Sequence, residues 1–432
     1  MSTAAATADQ PLRLTLASAH DRTGGAAVAA ARLRDGLRTL GHDARLFVQT
    51  QSQPHPATLG PQGAAQRSFS RLRSGLDSLP VRRAGGAPDK FSASWLPRRW
   101  PSLGDAGPAA LVHLHWTNAG FLSVRDIGAL RVPVVWTLHD MWAFTGGCQY
   151  DEGCGRHAQG CGDCPLLARR GARDLSARRH GAKQRLWADL ALTLVAPSRW
   201  MAAEARRSTL FAQRRIEVLA NGVDLQRYKP LDRGFARHAL GLPADRKLVL
   251  FGALNPGSDQ RKGYDLLQQA LATLAAQPGG PDKFALVVFG SNPPRQEVLH
   301  GLPAFHFGHL HDDVALALLY AACDVFVAPS RQENLPNTVA EALACGVPCV
   351  AFDIGGMPDL ITHQRHGWLA RPHDTADLAA GIAWCLSDED QRWRSLSVQA
   401  RRFAEEHLEL GRQARRHVDL YRQLLNAPGS PA

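Results

Sequence analysis

Short apolar runs alternate with longer stretches of helical periodicity along most of the chain. The first series comprises Leu12–Ala17, Ala44–Val48, Leu111–His115, Val134–Leu138, Leu192–Ala196 and Ile216–Leu219. These runs are largely apolar at consecutive positions, as expected of strands buried on both faces of a parallel sheet. Between the first two, Val28, Leu33, Leu37 and Leu40 recur at roughly helical spacing and predict a helix over Ala26–Leu40. A second series follows at Leu248–Phe251, Ala285–Phe289, Val325–Val327 and Cys349–Phe352. Two such series predict an α/β protein of two doubly wound, Rossmann-like domains. We expect an N-terminal domain over residues 1–223, a polar, proline-punctuated linker over 224–246 and a C-terminal domain over 247–410. Residues 411–432 close the chain with a charge-rich helix and a short tail.

Two insertions interrupt the rhythm. Residues 51–111 are too many for an ordinary loop, so they are either functional or disordered. Within them Phe69, Leu72, Leu76 and Leu79 fall near one face of a helix, with Arg67, Arg71 and Arg73 around it. Such a stripe packs on its parent domain more often than it lies on a membrane, and that is the expectation here. Residues 141–167 carry Cys148, Cys154, Cys161 and Cys164, spaced C-x5-C-x6-C-x2-C. The C-x2-C end suits a thiolate chelate and four cysteines suit a tetrahedral structural zinc, with disulfides as the alternative. Cys323, Cys345, Cys349 and Cys385 sit in apolar surroundings and read as core.

Composition narrows the classes. The chain has 432 residues and is 45% hydrophobic, enough for substantial cores. It has no apolar run long enough to span a bilayer, and Met1–Gln10 lacks the pattern of a signal peptide. A cytoplasmic protein with reduced cysteines is expected. The formal net charge of +11 comes almost wholly from arginine. No basic helix interleaved with aromatics accompanies it, so nucleic acid is not an expected partner. Weak association with the anionic inner face of a membrane remains open.

Chemistry concentrates in a few places. Gly24 and Gly25 follow the first strand and open the first long helix, where backbone can approach an anion. His139 and Asp140 end the Val134–Leu138 strand, on the side of a doubly wound sheet that faces ligand. Arg261, Lys262 and Gly263 place two cations in a chain where lysine is scarce. Glu333 and Glu341 bracket a helix start in which Asn337 and Thr338 follow Pro336 and present N–H groups to an anion such as a diphosphate. For any one of these the bland alternative is ordinary: a capping carboxylate, a solvated cation, a structural histidine.

Taken as a block, Pro329-Ser330, Glu333, Glu341-Ala342 and Gly346-Val347-Pro348 resemble the nucleotide-sugar site of retaining GT-B glycosyltransferases of family four. The likeness runs from about residue 11 to about residue 410 and is nearest to the bacterial exopolysaccharide, colanic-acid-type branch. It implies a GT-B fold with two domains facing a cleft and a terminal helix that crosses back to the first. It also implies transfer of a hexose from a UDP- or GDP-sugar to a saccharide or lipid-linked oligosaccharide, without a catalytic metal or other cofactor. On the matching positions, Lys262 would stabilise the leaving diphosphate, Glu333 would bind sugar hydroxyls and Glu341 would reach the ribose. His139 would contact the donor sugar, Gly24 and Gly25 its diphosphate or sugar, and Asp140 would lie on the acceptor side. Arg261 departs from the pattern, because the family's arginine sits several residues earlier, where this chain has Asn255 to Ser258. A hydrolase or epimerase of the same fold, or a zinc-stabilised binding scaffold, are the competing classes.

Overall fold

Seven parallel strands in the order β3-β2-β1-β4-β5-β6-β7 build the first sheet of the computed structural model. Residues 10–97, 109–252, 259–290, 296–310, 312–387 and 390–427 are described. The positions 1–9 and 255–258 discussed above lie outside them. The strands are β1 (Arg13–His20), β2 (Asp43–Thr50), β3 (Thr58–Leu59), β4 (Leu111–Leu114), β5 (Val134–Thr137), β6 (Leu192–Ala196) and β7 (Arg215–Val218). The period of two sorts their side chains cleanly. Val134, Trp136, Leu192 and Leu194 enter one core, whereas Val135 and Val195 enter the core on the opposite face. Burial on both faces explains why the sequence runs are continuous rather than alternating.

A second sheet has the order β10-β11-β9-β8-β12-β13-β14. Its strands are β8 (Lys247–Gly252), β9 (Phe284–Phe289), β10 (Gln296–Leu299), β11 (Leu302–His306), β12 (Val325–Ala328), β13 (Cys349–Phe352) and β14 (Gly367–Ala370). Only the edge strand β10 runs antiparallel to its neighbour. The chain divides into two compact units, residues 1–222 with 411–432, and residues 223–410. Both are Rossmann-like. The helix Leu410–Leu425 belongs to the first, where Ala414, Val418 and Tyr421 join the core of Leu14, Leu46 and Leu33.

Three expectations need correction. Residues 224–246 do not form an open linker. They carry the helix Arg233–Leu240, clamped to the second unit by the carboxylate of Asp324. Buried Asp324 accepts from Arg233, from the Leu248 amide (2.6 Å) and from Arg237, itself buried. Polar, charged sequence here reflects ion pairs of Arg233 and Arg237 rather than a linker.

The stripe in residues 51–111 also behaves unexpectedly. A helix does form, Gly63–Asp77, but its buried positions are Ser70, Arg73 and Asp77. Phe69 and Leu72 face solvent, 59% and 57% exposed. Arg73 is no surface cation, because it donates to the carbonyls of Gly120, Leu96 and Pro97 at 3.0–3.2 Å. Asp77 accepts from the Trp95 amide at 3.1 Å. Pro336, finally, is the N-cap of the helix Asn337–Ala344, one place before its first turn.

The clamp yields a stability prediction. Asp324→Ala leaves buried Arg237 without its carboxylate, so it should destabilise the protein by about 3–5 kcal/mol. Urea unfolding checks this, and a loss under about 1 kcal/mol would refute the clamp.

Candidate functional site

In an open parallel sheet, ligands bind beyond the carboxyl ends of the strands where the strand order reverses. In the first sheet that point lies between β1 and β4, and in the second between β8 and β12. The candidate residues fall there: Gly24 and Gly25 follow β1, His139 and Asp140 follow β5, Lys262 follows β8, and Glu333 follows β12.

The second unit holds the tighter cluster. Glu333 is buried, and one of its oxygens accepts from Lys262 Nζ at 2.6 Å and from Arg261 at 3.0 Å. Burial alone would raise its pKa, but the two cations hold the carboxyl down at about 2. Two glycines permit this approach. A Cβ on Gly263, at φ +69°, would stand 1.9 Å from the Pro329 carbonyl, and one on Gly355, at φ +52°, would stand 2.0 Å from the Glu333 carbonyl. The loops are further stapled by Arg331, whose amide donates to the Arg261 carbonyl (2.8 Å) and whose guanidinium grips Asp265. Lys262 is therefore aimed by backbone packing, not by its own flexible stem.

The helix Asn337–Ala344 starts beside this cluster, with half-buried Asn337 and Thr338 in its first turn. Its orphan amides and dipole favour an anion there. Glu341 lies on the same helix, buried, and accepts from the Tyr320 hydroxyl at 3.1 Å.

The first unit brings together a different set. Gly24 is the N-cap of the helix Gly25–Thr39, at φ 89°, with open space where a side chain would stand. His139 Nε2 bonds His115 Nδ1 at 2.9 Å. Burial of the imidazole pushes His139 down to about 3, so the ring is neutral. Asp140 has both oxygens engaged, from the Trp116 indole at 3.0 Å and the Trp142 amide at 2.9 Å. These bonds shape the loop, so acceptor contact by Asp140 gains no support from the geometry. A concavity of about 210 Å³, counting its open mouth, is lined by His115, Trp116, Thr117, Asn118, His139 and Asp140.

His115 was read only as the end of a strand, though the His-x-His pair His113/His115 ends β4 just as His139 ends β5. That shared strand-end position was the available signal. Lys183 had none. It is wholly buried, donates to the carbonyls of Trp142 and Thr145, and lies 3.7 Å from the centre of the Trp142 ring. Burial brings its pKa down to about 7.

The zinc expectation does not fit. All four cysteines of the insertion are free thiols, and no group of three or more His, Cys, Asp or Glu among the described residues could hold a metal ion. Burial pushes Cys148 up and Cys161 up to about 11, so both are neutral, and Cys161 accepts from the Gly146 amide at 3.0 Å. The chain also contains one Asp-x-Asp triplet, Asp388-Glu389-Asp390, of which 388–389 lie outside the described residues. It follows β14 and is distant in sequence from Lys262 and Glu333.

Such a pair of Rossmann-like units defines the class. Among solved structures of the same fold are sucrose-phosphate synthase from Thermosynechococcus elongatus (TM-score 0.68, 20% identity, covering 96% of this chain and 100% of that one) and Anabaena HepE in complex with UDP and glucose (0.63, 18%, 95% and 99%). Residues 23–227 match the family described as Glycosyltransferase Family 4, and residues 245–388 match Glycosyl transferases group 1. Relatives include D-inositol 3-phosphate glycosyltransferases of Catenulispora acidiphila (28% identity over 87% of both chains) and Jonesia denitrificans (30% over 68% of both). The chain belongs to this group 1, family 4 lineage and is a glycosyltransferase of GT-B fold.

The thiols supply a pH prediction. The thiolate is the reactive form, so alkylation of Cys161 at pH 8 should be about 100-fold slower than that of glutathione. It should rise about tenfold per pH unit towards 11. Mass-spectrometric mapping reads this, and a jump in rate after chelator treatment would overturn the metal-free arrangement.

Proposed function

We propose that the protein is a retaining hexosyltransferase that takes its sugar from a UDP- or GDP-sugar, without a catalytic metal. The observation that carries this is the buried Glu333 carboxylate held by Lys262 and Arg261 beside a helix N-terminus. Such a cluster suits a sugar diphosphate. The cations and helix amides face the charge that builds on the leaving group, and the carboxylate accepts from sugar hydroxyls. Contacts that strengthen as the bond breaks raise kcat, so Lys262 and Arg261 act mainly on the transition state. The departing phosphate oxygen takes the acceptor proton on the same face of the sugar, giving retention. Asn337 and Thr338 hold phosphate through the helix start, Glu341 holds the ribose, and His139 with Gly24 and Gly25 completes the donor contacts from the first unit.

For the acceptor we favour a lipid-linked saccharide of exopolysaccharide assembly, handled at the inner face of the plasma membrane. The outward face of the helix Gly63–Asp77 supports it. Phe69 and Leu72 are exposed there, with Arg67 and Arg71 exposed on the same helix. A small phosphorylated polyol is the second reading, because the curated relatives are named for D-inositol 3-phosphate. No helix among the described residues is long and apolar enough to cross a membrane.

A panel of radiolabelled nucleotide sugars, offered with polyprenyl-diphosphate saccharides or with inositol phosphate, separates these acceptors. Release of free sugar without transfer would point to a hydrolase instead. In the same assay with EDTA present, Lys262→Ala should lower kcat by about 10²-fold or more with little change in donor KM. Glu341→Ala should mainly raise the donor KM. Wild-type kinetics in both variants would remove the site assignment.

Membrane attachment has its own test. Phe69→Ser with Leu72→Ser should cut flotation with anionic vesicles by roughly tenfold or more, since each buried apolar side chain contributes about 1.5–3 kcal/mol. Raising the salt should weaken it further. Donor binding should not change. Equal flotation of wild type and double variant would exclude this face.

A further inference from the structure

His139 is part of a connected set of rings. His113 Nδ1 meets the Tyr421 hydroxyl at 2.6 Å, and its Nε2 meets Thr137 Oγ1 at 2.7 Å. The His113 ring lies 4.4 Å from that of His115, and His115 stacks on His139 at 5.2 Å with the planes 23° apart. His417 also stacks on His113, with ring centres 5.5 Å apart. His113, His115, His417 and Tyr421 are all buried, and burial holds the histidines neutral and the phenol protonated. A second proton in the set would also meet repulsion from the neighbouring rings.

Two neutral imidazoles joined by one hydrogen bond share one bridging proton, and it has two possible owners. In one arrangement His139 Nε2–H donates to His115 Nδ1. The proton of His115 is then on Nε2, which is buried and has no partner. In the other, His115 Nδ1–H donates to His139 Nε2, and the buried atom left over is a bare nitrogen lone pair. Orphaned buried N–H groups are rarer than under-satisfied acceptors, which selects the second arrangement. Its consequence for His139 is specific, because a neutral ring that accepts at Nε2 must carry its proton on Nδ1.

We propose that His115 is a positioning residue that accepts no part of the substrate's charge but holds the ring proton of His139 on Nδ1. His139 then meets a donor sugar as an N–H donor, not as a base. His115 is itself fixed by main-chain bonds: its amide donates to the Ala17 carbonyl at 2.9 Å, and its carbonyl accepts from the Trp136 indole at 3.0 Å. The helix Leu410–Leu425 reaches the same set through Tyr421 and His417, so the last helix of the chain backs the strand-end histidines. The tautomer follows from the bond between two neutral rings and the unpartnered Nε2 of His115, whereas its kinetic consequence rests on the reading of His139 as a donor-sugar contact.

Long-range ¹H–¹⁵N correlation spectra of [¹⁵N]histidine-labelled full-length protein at pH 7 report the tautomer of each ring, and His139→Gln identifies the His139 signals. Wild type should show Nδ1–H for His139. His115→Phe should convert it to Nε2–H, and His115→Asn, whose amide N–H stands where Nδ1–H was, should retain Nδ1–H. In the transfer assay, His115→Phe should lower kcat by about tenfold or more with donor KM nearly unchanged, and His115→Asn should recover most of the loss. An Nε2–H His139 in wild type overturns the proposal, as does Nδ1–H persisting in His115→Phe. A His139→Gln variant of undiminished activity would instead overturn the assignment of His139, leaving the tautomer standing.

Discussion

A parallel sheet covered on both faces confines its polar chemistry to the ends of its strands. Backbone donors and acceptors are used in the ladder, and side chains above and below are committed to two apolar cores. The first unit shows this plainly, with Val134 and Trp136 in one core and Val135 in the other. His115 and His139 come just past the carboxyl ends of β4 and β5. There the helices that follow present their N-terminal amides. The candidate residues of each unit therefore lie at the strand carboxyl ends of their own sheet.

Within that constraint, the second unit solves an electrostatic problem. A buried carboxylate must be neutralised or protonated, and Glu333 is neutralised by two cations from a neighbouring loop. Close approach of the two loops requires glycine at 263 and 355, where any side chain would collide with a carbonyl. The Lys-Gly pair is thus one physical unit, in which the glycine lets the backbone turn against Pro329 and the lysine uses that turn. In this arrangement the cations and the carboxylate satisfy each other.

Much of the architecture was legible because it rests on period and length. The ten strands read from apolar runs recur in the structure, nine of them within two residues at each end, while β1 runs on three residues past Ala17 to His20; the first helix recurs within one residue at both ends. β3, β10, β11 and β14 escaped notice: they are short, and β10 and β11 carry polar or proline residues that interrupt the run. Motif and chemistry both singled out Lys262 and Glu333, and chemistry singled out Arg261; the structure brings both cations into contact with Glu333. Their support was not legible, since nothing in spacing alone says that Arg331 staples Asp265 or that Tyr320 donates to Glu341. The cysteine spacing does bring the four thiols near one another, close enough to disfavour each other's ionisation, but not into a group placed to hold a metal ion.

The helix Gly63–Asp77 shows the limit of pattern reading most clearly. Periodicity establishes that Phe69, Leu72 and Leu76 share a face. It does not establish which face turns inward. Transfer of apolar surface from water favours burying that face, by about 25 cal/mol per Å². Opposing it are five hydrogen bonds at hand for the other side: three from Arg73 to carbonyls and two accepted by Asp77. The Gly120 carbonyl and the Asp77 carboxylate are buried, and leaving buried polar groups unpaired costs about 1–3 kcal/mol each. The polar side wins the contact with the domain because it satisfies groups the domain already has. The apolar side is left outward, with Phe69 and Leu72 exposed to solvent, and the membrane proposal above rests on that exposure.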